Sequence, residues 1–465
     1  MKNIIIFFLS VLSMHILVAQ NWQEVKAGSE FSLGIKEDGT LWGWGFNGSG
    51  QLGLVKEHLY ELSPVQIGTD MDWKTISAGG FHGLALKNDG TLWGWGLNGN
   101  GQVRGTRDSM FFTPEQIGSD TDWFFVQACY GSSFAMKSNG TLWAWGYNGG
   151  GVLGFGGLLQ QNEPAQVGTA RWKTVSSGGI FTLGIQADNT LWYWGYHISY
   201  VDGHGYKTAI DTVPVQIGTD TNWLSVSAGM EHAIALKKDG SLWVYGDNTN
   251  KQLGYDTIYA NDFFQIYPEK KWQFIEAGSI YTFAIDDQGL LYGWGCNIYG
   301  QLGLKADDYV TVPTPVHGHS VSQIAAAKGM VSKGRLYGLH TLMLSEDRNL
   351  MCVAGANYIG QLGTGTLSGN KTDHFICSSL NSIADNENGK ENMIVFPNPS
   401  RDWFSVTNVQ NANLTLYDLS GRKIGFQYGI DEQVIFHTEN IPSGLYVLKI
   451  QKDNRTVTRK IQIIK

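Results

Sequence analysis

The chain has 465 residues, 42% of them apolar and only 16% charged, with a formal net charge of −8. Its 60 glycines and 17 tryptophans are far above ordinary usage, favouring tight turns and stacked sheets over helices. The absence of any basic block excludes a nucleic-acid partner, and no stretch after the N-terminus is apolar enough to span a membrane.

Residues 1–20 read as a secretory signal: Lys2 gives the positive start, Ile4 to Leu12 the apolar run, and Leu17-Val18-Ala19 a cleavage site. No cysteine follows the cleavage point, so no lipoprotein anchor is expected. The four cysteines (Cys129, Cys296, Cys352 and Cys377) lack metal-ligand spacing and are too sparse for a disulfide scaffold. Cys352 and Cys377 fall in one repeat and are candidates for a bond that sequence alone does not decide.

From residue 21 to 378 one phrase recurs: Asp38-Gly39-Thr40-Leu41-Trp42-Gly43-Trp44-Gly45, then 89–96, 139–146, 188–195, 239–246, 288–295 and a decayed seventh copy at 348–355. The closing glycines (45, 96, 146, 195, 246, 295 and 355) lie 51, 50, 49, 51, 49 and 60 residues apart. The second unit parses into four short strands: residues 73–79, 82–87 and 91–95, with a fourth around 114–117. Asn88-Asp89-Gly90 makes the hairpin turn between the second and third. Four antiparallel strands per fifty residues, seven times, imply an all-β fold: a seven-bladed β-propeller. A closed ring must secure its ends, so strands near residues 22–27 and 375–377 are expected side by side. The Trp-x-Trp pairs place both indoles on one strand face, where their recurrence in nearly every unit marks them as core rather than sugar-stacking platforms.

Residues 78–102, Ala-Gly-Gly-Phe-His-Gly-Leu-Ala-Leu-Lys-Asn-Asp-Gly-Thr-Leu-Trp-Gly-Trp-Gly-Leu-Asn-Gly-Asn-Gly-Gln, resemble the RCC1 repeat, named for the regulator of chromosome condensation. Its Asn-x-x-Gly-Gln-Leu-Gly ending is intact at 47–53, 297–303 and 357–363. The repeat histidine stands at His82, His232 and His340, with Phe31, Ser132, Phe181 and Tyr281 at the same register elsewhere; one recurring register argues for a core role. The resemblance implies guanine-nucleotide exchange, an activity of the eukaryotic cell interior that export signals at both ends of this chain make the least favoured alternative. Secreted bacterial RCC1-like inhibitors, which bind a protein through one propeller face, are the nearer analogy.

Residues 379–393 are polar and read as a linker. Residues 394–465 then show Val395-Phe396-Pro397-Asn398-Pro399, Leu414-Thr415-Leu416-Tyr417-Asp418-Leu419-Ser420-Gly421, Ile441-Pro442-Ser443-Gly444-Leu445-Tyr446-Val447 and a final alternating run. Pattern alone gives a small immunoglobulin-like β-sandwich. In that order the four elements resemble the type A C-terminal sorting domain of the type IX secretion system of the Bacteroidota. This implies the secretion machinery as partner and the outer cell surface or medium as destination.

No reaction motif, metal cluster or cofactor loop is present, so no catalytic residue, metal or cofactor is expected. The recurring aspartates sit in hairpin turns for backbone reasons, and His197/His204 and His317/His319 read as ordinary loop histidines. Function is sought where the repeat breaks. Unit four replaces the Asn-x-x-Gly-Gln-Leu-Gly turn with residues 197–206, and unit seven inserts about ten residues around 330–337 between its first two strands. By strand parity both changes fall on one face. Tyr200, His204, Tyr206, Phe111, Phe112, Tyr259 and Phe263, assigned to loops of that face, are the candidate ligand-binding residues for an extracellular protein or glycan. The alternative is an enzyme acting on extracellular polysaccharide, which needs a carboxylate pair among Glu57, Glu61, Asp202 and Asp211.

Overall fold

The computed structural model describes residues 21–379 and 395–463, apart from 57, 106–107, 158, 202–204, 317–319, 330, 333–334, 337, 369–370 and 373 in the first stretch and 397–402, 408, 419–420, 429–432 and 453–454 in the second. The expected signal (1–20) and most of the expected linker lie outside the described residues.

Seven four-stranded antiparallel sheets follow one another from Trp22 to Ser379. Blade 1 comprises Trp22–Ala27, Phe31–Lys36, Leu41–Phe46 and Tyr60–Gln66; blade 2 comprises Trp73–Ala78, His82–Lys87, Leu92–Leu97 and Met110–Gln116. Blade 3 begins with Trp123–Ala128, Ser132–Lys137 and Thr141–Gly146. The long strand Gln161–Ser177 closes blade 3 and opens blade 4, which continues with Phe181–Gln186, Leu191–Val201 and Gly205–Ile217. Blades 5, 6 and 7 start at Trp223–Ala228, Trp272–Ala277 and Val321–Ala326. First strands of neighbouring blades touch at the centre, and fourth strands form the exposed rim.

The recurring phrase has a direct physical basis. In the Asp-Gly turn the Asp38 carboxylate accepts from the Thr40 amide (3.0 Å) and hydroxyl (2.6 Å), and the Thr40 hydroxyl accepts from Trp42 Nε1 (2.8 Å). The same relay joins Asp89, Thr91 and Trp93, and three further blades repeat it. The tryptophan so fixed makes one wall of a lysine cage. Lys87 lies 4.9 Å from the Trp73 ring and 4.6 Å from Trp93, and pairs with Asp70 (2.7 Å) and Asp72 (3.1 Å). Burial alone would lower the Lys87 pKa, but hydrogen bonds and charge from the two aspartates outweigh it and raise it. Blade 6 exchanges the charges: Asp286 occupies the strand position and Lys270 comes from the preceding link, 3.0 Å away.

The closing glycine of all seven phrases has φ between +94° and +106°. A Cβ there would lie under 3 Å from the backbone of the second strand or of the link before it, for example 2.7 Å from His82 Cα at Gly96. Opposite this point the fourth strands of blades 1 to 6 are bulged, and Pro64, Pro114, Pro164, Pro214 and Pro313 occupy the bulge in five of them.

The recurring histidines are core residues. His82 Nε2 meets Ser133 Oγ of the next blade at 2.9 Å, His232 Nε2 meets Thr282 Oγ1 at 3.0 Å, and His340 Nε2 meets Ser32 Oγ at 3.0 Å. Each hydroxyl donates to a carbonyl of the preceding blade's turn (Gln102, Gln252 and Gln361), so it accepts from the imidazole, and the proton sits on Nε2. Where Phe31 and Phe181 replace histidine, the facing residue of the next blade is Gly83 or Ala233, with no hydroxyl to satisfy.

The His340–Ser32 contact closes the ring of seven, with Gln323 exchanging hydrogen bonds with the Val25 amide (3.2 Å) and carbonyl (3.0 Å). The expected meeting of the two end strands is corrected here. Trp22–Ala27 packs on the first and second strands of blade 7, whereas Ile376–Ser379 pairs with Leu350–Gly355 at the outer edge of that blade. Each blade is cut from one repeat, so no strand is exchanged across the seam. The last strand is instead fastened within its blade by a disulfide between the directly opposed Cys352 and Cys377. Blade 7 has Ala354 where blade 1 has the buried Trp44, and Phe375, 2% exposed, fills that space from just before the fourth strand.

The C-terminal stretch forms two sheets. One joins Val395–Phe396, Trp403–Thr407 and Gln433–His437; the other joins Lys423–Tyr428, Asn413–Asp418, Gly444–Lys452 and Arg455–Ile463. Alternating residues such as Phe404, Phe436, Leu414, Leu448 and Ile461 build a core of their own, the expected small β-sandwich.

Burial holds the pKa of His82, His232 and His340 at about 3, below the ordinary 6.5. Between those values the unfolded chain binds protons that the propeller cannot, so stability is complete above about 6.5 and falls as pH drops towards 3. Each histidine steepens that fall by up to about 1.4 kcal/mol per pH unit. His82→Phe should remove one such increment, read from denaturant unfolding at neutral pH and near pH 4.5; an unchanged slope would contradict the buried neutral assignment. Replacing Cys352 and Cys377 together by serine should cost about 3 kcal/mol through the released loop. The same unfolding measurement checks it, and equal stability with and without the bond would refute its role.

Candidate functional site

The turn between third and fourth strands is organised by one buried asparagine in six of the seven blades. Asn47 Nδ2 donates to the Leu54 (3.1 Å) and His58 (2.7 Å) carbonyls, and its Oδ1 accepts from the Leu52 amide (3.0 Å). Asn98, Asn148, Asn248, Asn297 and Asn357 repeat the clamp. In blade 4 His197 stands at that position, the compact turn is lost, and the two strands continue as a hairpin paired from Gly195↔Asp211 to Val201↔Gly205. The six residues beyond Gly195 add about 20 Å of strand.

A second recurring contact brings the two kinds of connection together. The residue after each closing glycine donates its amide to the link between first and second strands: Tyr147 to Gly131 (2.8 Å), Tyr196 to Ile180 (2.8 Å) and Asp247 to Glu231 (2.8 Å). At the foot of the blade 4 hairpin these contacts frame a cleft of about 540 Å³ lined by Asn100, Tyr130, Tyr147, Gly149, Gly150, Gly179, Ile180, Tyr196 and Glu231. Its size is that of a small-ligand site. Residues of blades 2 to 5 contribute, all but Tyr196 from the connections that strand parity assigned to one face; Tyr196 lies in the extended strand Leu191–Val201. Gly150, at φ +75°, permits the close approach of Tyr196, whose Cδ2 would lie 3.3 Å from an added Cβ.

Burial pushes the Glu231 carboxyl above the usual carboxylate range, and the nearby Asp247 adds to the effect. Asp247 is itself buried and held by neutral donors: the Thr249 amide (3.2 Å), the Thr249 hydroxyl (2.7 Å) and Gln252 Nε2 (2.6 Å). Beside the cleft, Tyr193, Tyr245 and His197 form an aromatic cluster, with Phe181 stacked on Tyr193 at 5.4 Å and the Tyr193 hydroxyl donating to the Tyr196 carbonyl.

The candidates named from sequence fare unevenly in position. His204 lies outside the described residues. Tyr200 and Tyr206 are directly opposed near the hairpin tip. Phe111, Phe112, Tyr259 and Phe263 are not loop residues: all four belong to fourth strands, Met110–Gln116 and Tyr259–Ile266. The loops are shorter than expected because pairing resumes at once after the asparagine clamp. Phe111 is opposite Gly96, Phe112 lies in the bulge, and Tyr259 is opposite Asp247. Phe263 takes the proline position of the blade 5 bulge, stacking on Tyr245 at 5.3 Å and meeting Trp223 edge-on at 5.9 Å. Of the four carboxylates considered for hydrolysis, Glu57 and Asp202 lie outside the described residues. Glu61 and Asp211 sit in the fourth strands of blades 1 and 4, three blades apart. Among the described residues no group of three His, Cys, Asp or Glu side chains is placed to hold a metal.

Sequence reading missed Tyr130, Tyr147, Tyr196 and Glu231. A column-wise comparison carries the signal: the residue after the closing glycine is Phe46, Leu97, Tyr147, Tyr196, Asp247, Cys296 and Ala356, with tyrosine in two adjacent blades only. Because Phe263 packs against Tyr245 and Trp223, Phe263→Ala should cost about 3 kcal/mol of stability, measured by chemical denaturation. A stability change near zero would return Phe263 to the surface.

Comparison with known proteins agrees with this architecture. Models described as the regulator of chromosome condensation (RCC1) repeat match residues 22–51, 73–102 and 223–252, and 38–86, 139–185 and 288–331. A model described as the secretion system C-terminal sorting domain matches 394–465. The human probable E3 ubiquitin-protein ligase HERC3 is 37% identical over 82 residues, 17% of this chain and 8% of that protein. The chain thus spans 8% of the length of the first two curated relatives it matches and 18% of the third. Among solved structures, human WBSCR16 superposes with a TM-score of 0.60 at 21% identity, covering 67% of this chain and 85% of that one. Yeast RCC1 (Prp20), solved bound to Kap60, gives 0.59 at 21% identity, with 70% and 81% covered. At this identity the likeness carries the fold alone.

Proposed function

We propose that this RCC1-repeat propeller, carrying a secretion system C-terminal sorting domain at 394–465 that directs it out of the cell, is a binding module. It recognises an extracellular protein or glycan through the face bearing the blade 4 hairpin. The observation that carries this reading is the tyrosine-lined cleft at the foot of that hairpin, at the place where seven otherwise similar repeats diverge. Packing constrains core positions alike in every blade, whereas residues peculiar to blades 3, 4 and 5 on one face are free of that constraint. Tyrosines supply large contact area at low entropic cost, as recognition surfaces require.

Among the described residues lining the cleft, Glu231 is the only carboxylate, and Asp247 is buried behind it. Glycoside hydrolysis needs two carboxylates across the scissile bond, so this composition favours binding over catalysis. Type IX machinery delivers the propeller to the surface or medium, and the disulfide of blade 7 suits that oxidising setting.

Replacing Tyr147 and Tyr196 together by alanine should weaken ligand capture roughly thirty-fold, corresponding to about 2 kcal/mol, with the melting temperature little changed. Glycan arrays and crosslinking to extracellular proteins of the producing cell provide the readout. Unchanged capture in the double variant, with loss on mutating the opposite face instead, would invert the assignment of the working surface.

A further inference from the structure

The propeller builds the same cage repeatedly: a lysine ammonium between aromatic rings, closed by carboxylates. Lys87 is held so by Trp73, Trp93, Asp70 and Asp72; Lys137 by Trp123, Trp143, Asp120 and Asp122; Lys270 by Trp272, Tyr292 and Asp286. The cleft has the same ingredients without the cation. Tyr130, Tyr147 and Tyr196 supply aromatic rings, Glu231 supplies a carboxylate, and none of the described lining residues is basic.

We propose that the cleft receives a cationic side chain, the guanidinium or ammonium of an arginine or lysine on a protein partner. This deepens the binding reading above and rests on it. Glu231 and Asp247 place two acids side by side, tied together through the Asp247 amide and the Glu231 carbonyl. Asp247 is answered by neutral donors, and no ion pair involves either acid among the described residues. A cation entering the cleft meets one carboxylate directly and the field of the second, in a partly desolvated space where such attraction is strongest. Ile180 offers an apolar wall for the aliphatic stem. The net charge of −8 draws cationic partners from a distance. A neutral glycan would leave the paired acids uncompensated.

The test uses the mature full-length protein and three uncharged-backbone probes followed by ligand-observed NMR: N-acetyl-arginine methylamide, its lysine counterpart, and the neutral isostere N-acetyl-citrulline methylamide. The arginine or lysine probe should bind at least about ten-fold more tightly than citrulline, equivalent to about 1.4 kcal/mol. Glu231→Gln should remove that preference. Tyr147→Leu, at an exposed position that tolerates the change, should weaken the cation and leave folding intact. Equal binding of arginine and citrulline, or full cation binding by Glu231→Gln, overturns the proposal. If a neutral disaccharide binds, Tyr147→Ala with Tyr196→Ala abolishes it, and no cation competes, the cationic class falls while the cleft remains the site. If no probe binds and the double tyrosine variant keeps full capture, both readings fall together.

Discussion

Every blade of this propeller is buried on both faces by its neighbours, so no sheet has a stable surface until the seventh meets the first. That closure is achieved without exchanging a strand. The seam relies on the contacts that join the other blades: a second-strand imidazole against a hydroxyl, a turn glycine against a neighbouring fourth strand, and an inner-strand polar side chain against a backbone amide. Gly360 approaches Leu62 across the seam as Gly50 approaches Phe112 inside the ring. The ends of the propeller are therefore held by repetition, and the disulfide only secures the outermost strand of blade 7, which is just four residues long.

Such closure demands that adjacent blades agree residue by residue. His82, His232 and His340 face Ser133, Thr282 and Ser32, whereas Phe31 and Phe181 face glycine and alanine. Blade 6 reverses the charges of its cage and keeps the attraction. Blade 7 loses its third-strand tryptophan and recovers an aromatic ring from Phe375. Each departure from the repeat is answered by a partner in the same cavity, as expected where buried polar atoms and voids are costly. The blade 4 hairpin is a departure of another kind, since it lengthens two strands beyond the blade.

The seven repeats, the histidine register, the hairpin turns and the small terminal sandwich were legible because each depends on local pattern: period two along strands, Asp-Gly at turns, and a fifty-residue recurrence. The cleft was not. Tyr130, Tyr147, Tyr196 and Glu231 are separated by up to 101 positions and converge only because amide bonds tie links to turns in three dimensions. Phe111, Phe112, Tyr259 and Phe263 were misplaced for a related reason. Their apolar character suggested a loop surface, but they belong to bulged fourth strands, where Phe263 substitutes for proline. Aromatic residues at a break in a repeat can be repairing the core as readily as meeting a ligand, and only the neighbouring side chains distinguish the two.

The bulged outer strands have a consequence for how copies of this protein meet at their rims. A ring of seven exposed sheet edges would ordinarily offer seven templates for pairing with another copy. Pro64, Pro114, Pro164, Pro214 and Pro313 remove a donor and bend the edge in five blades, and blade 7 presents an outer strand of only four residues. Neighbouring molecules can thus crowd rim to rim without fusing into continuous sheet.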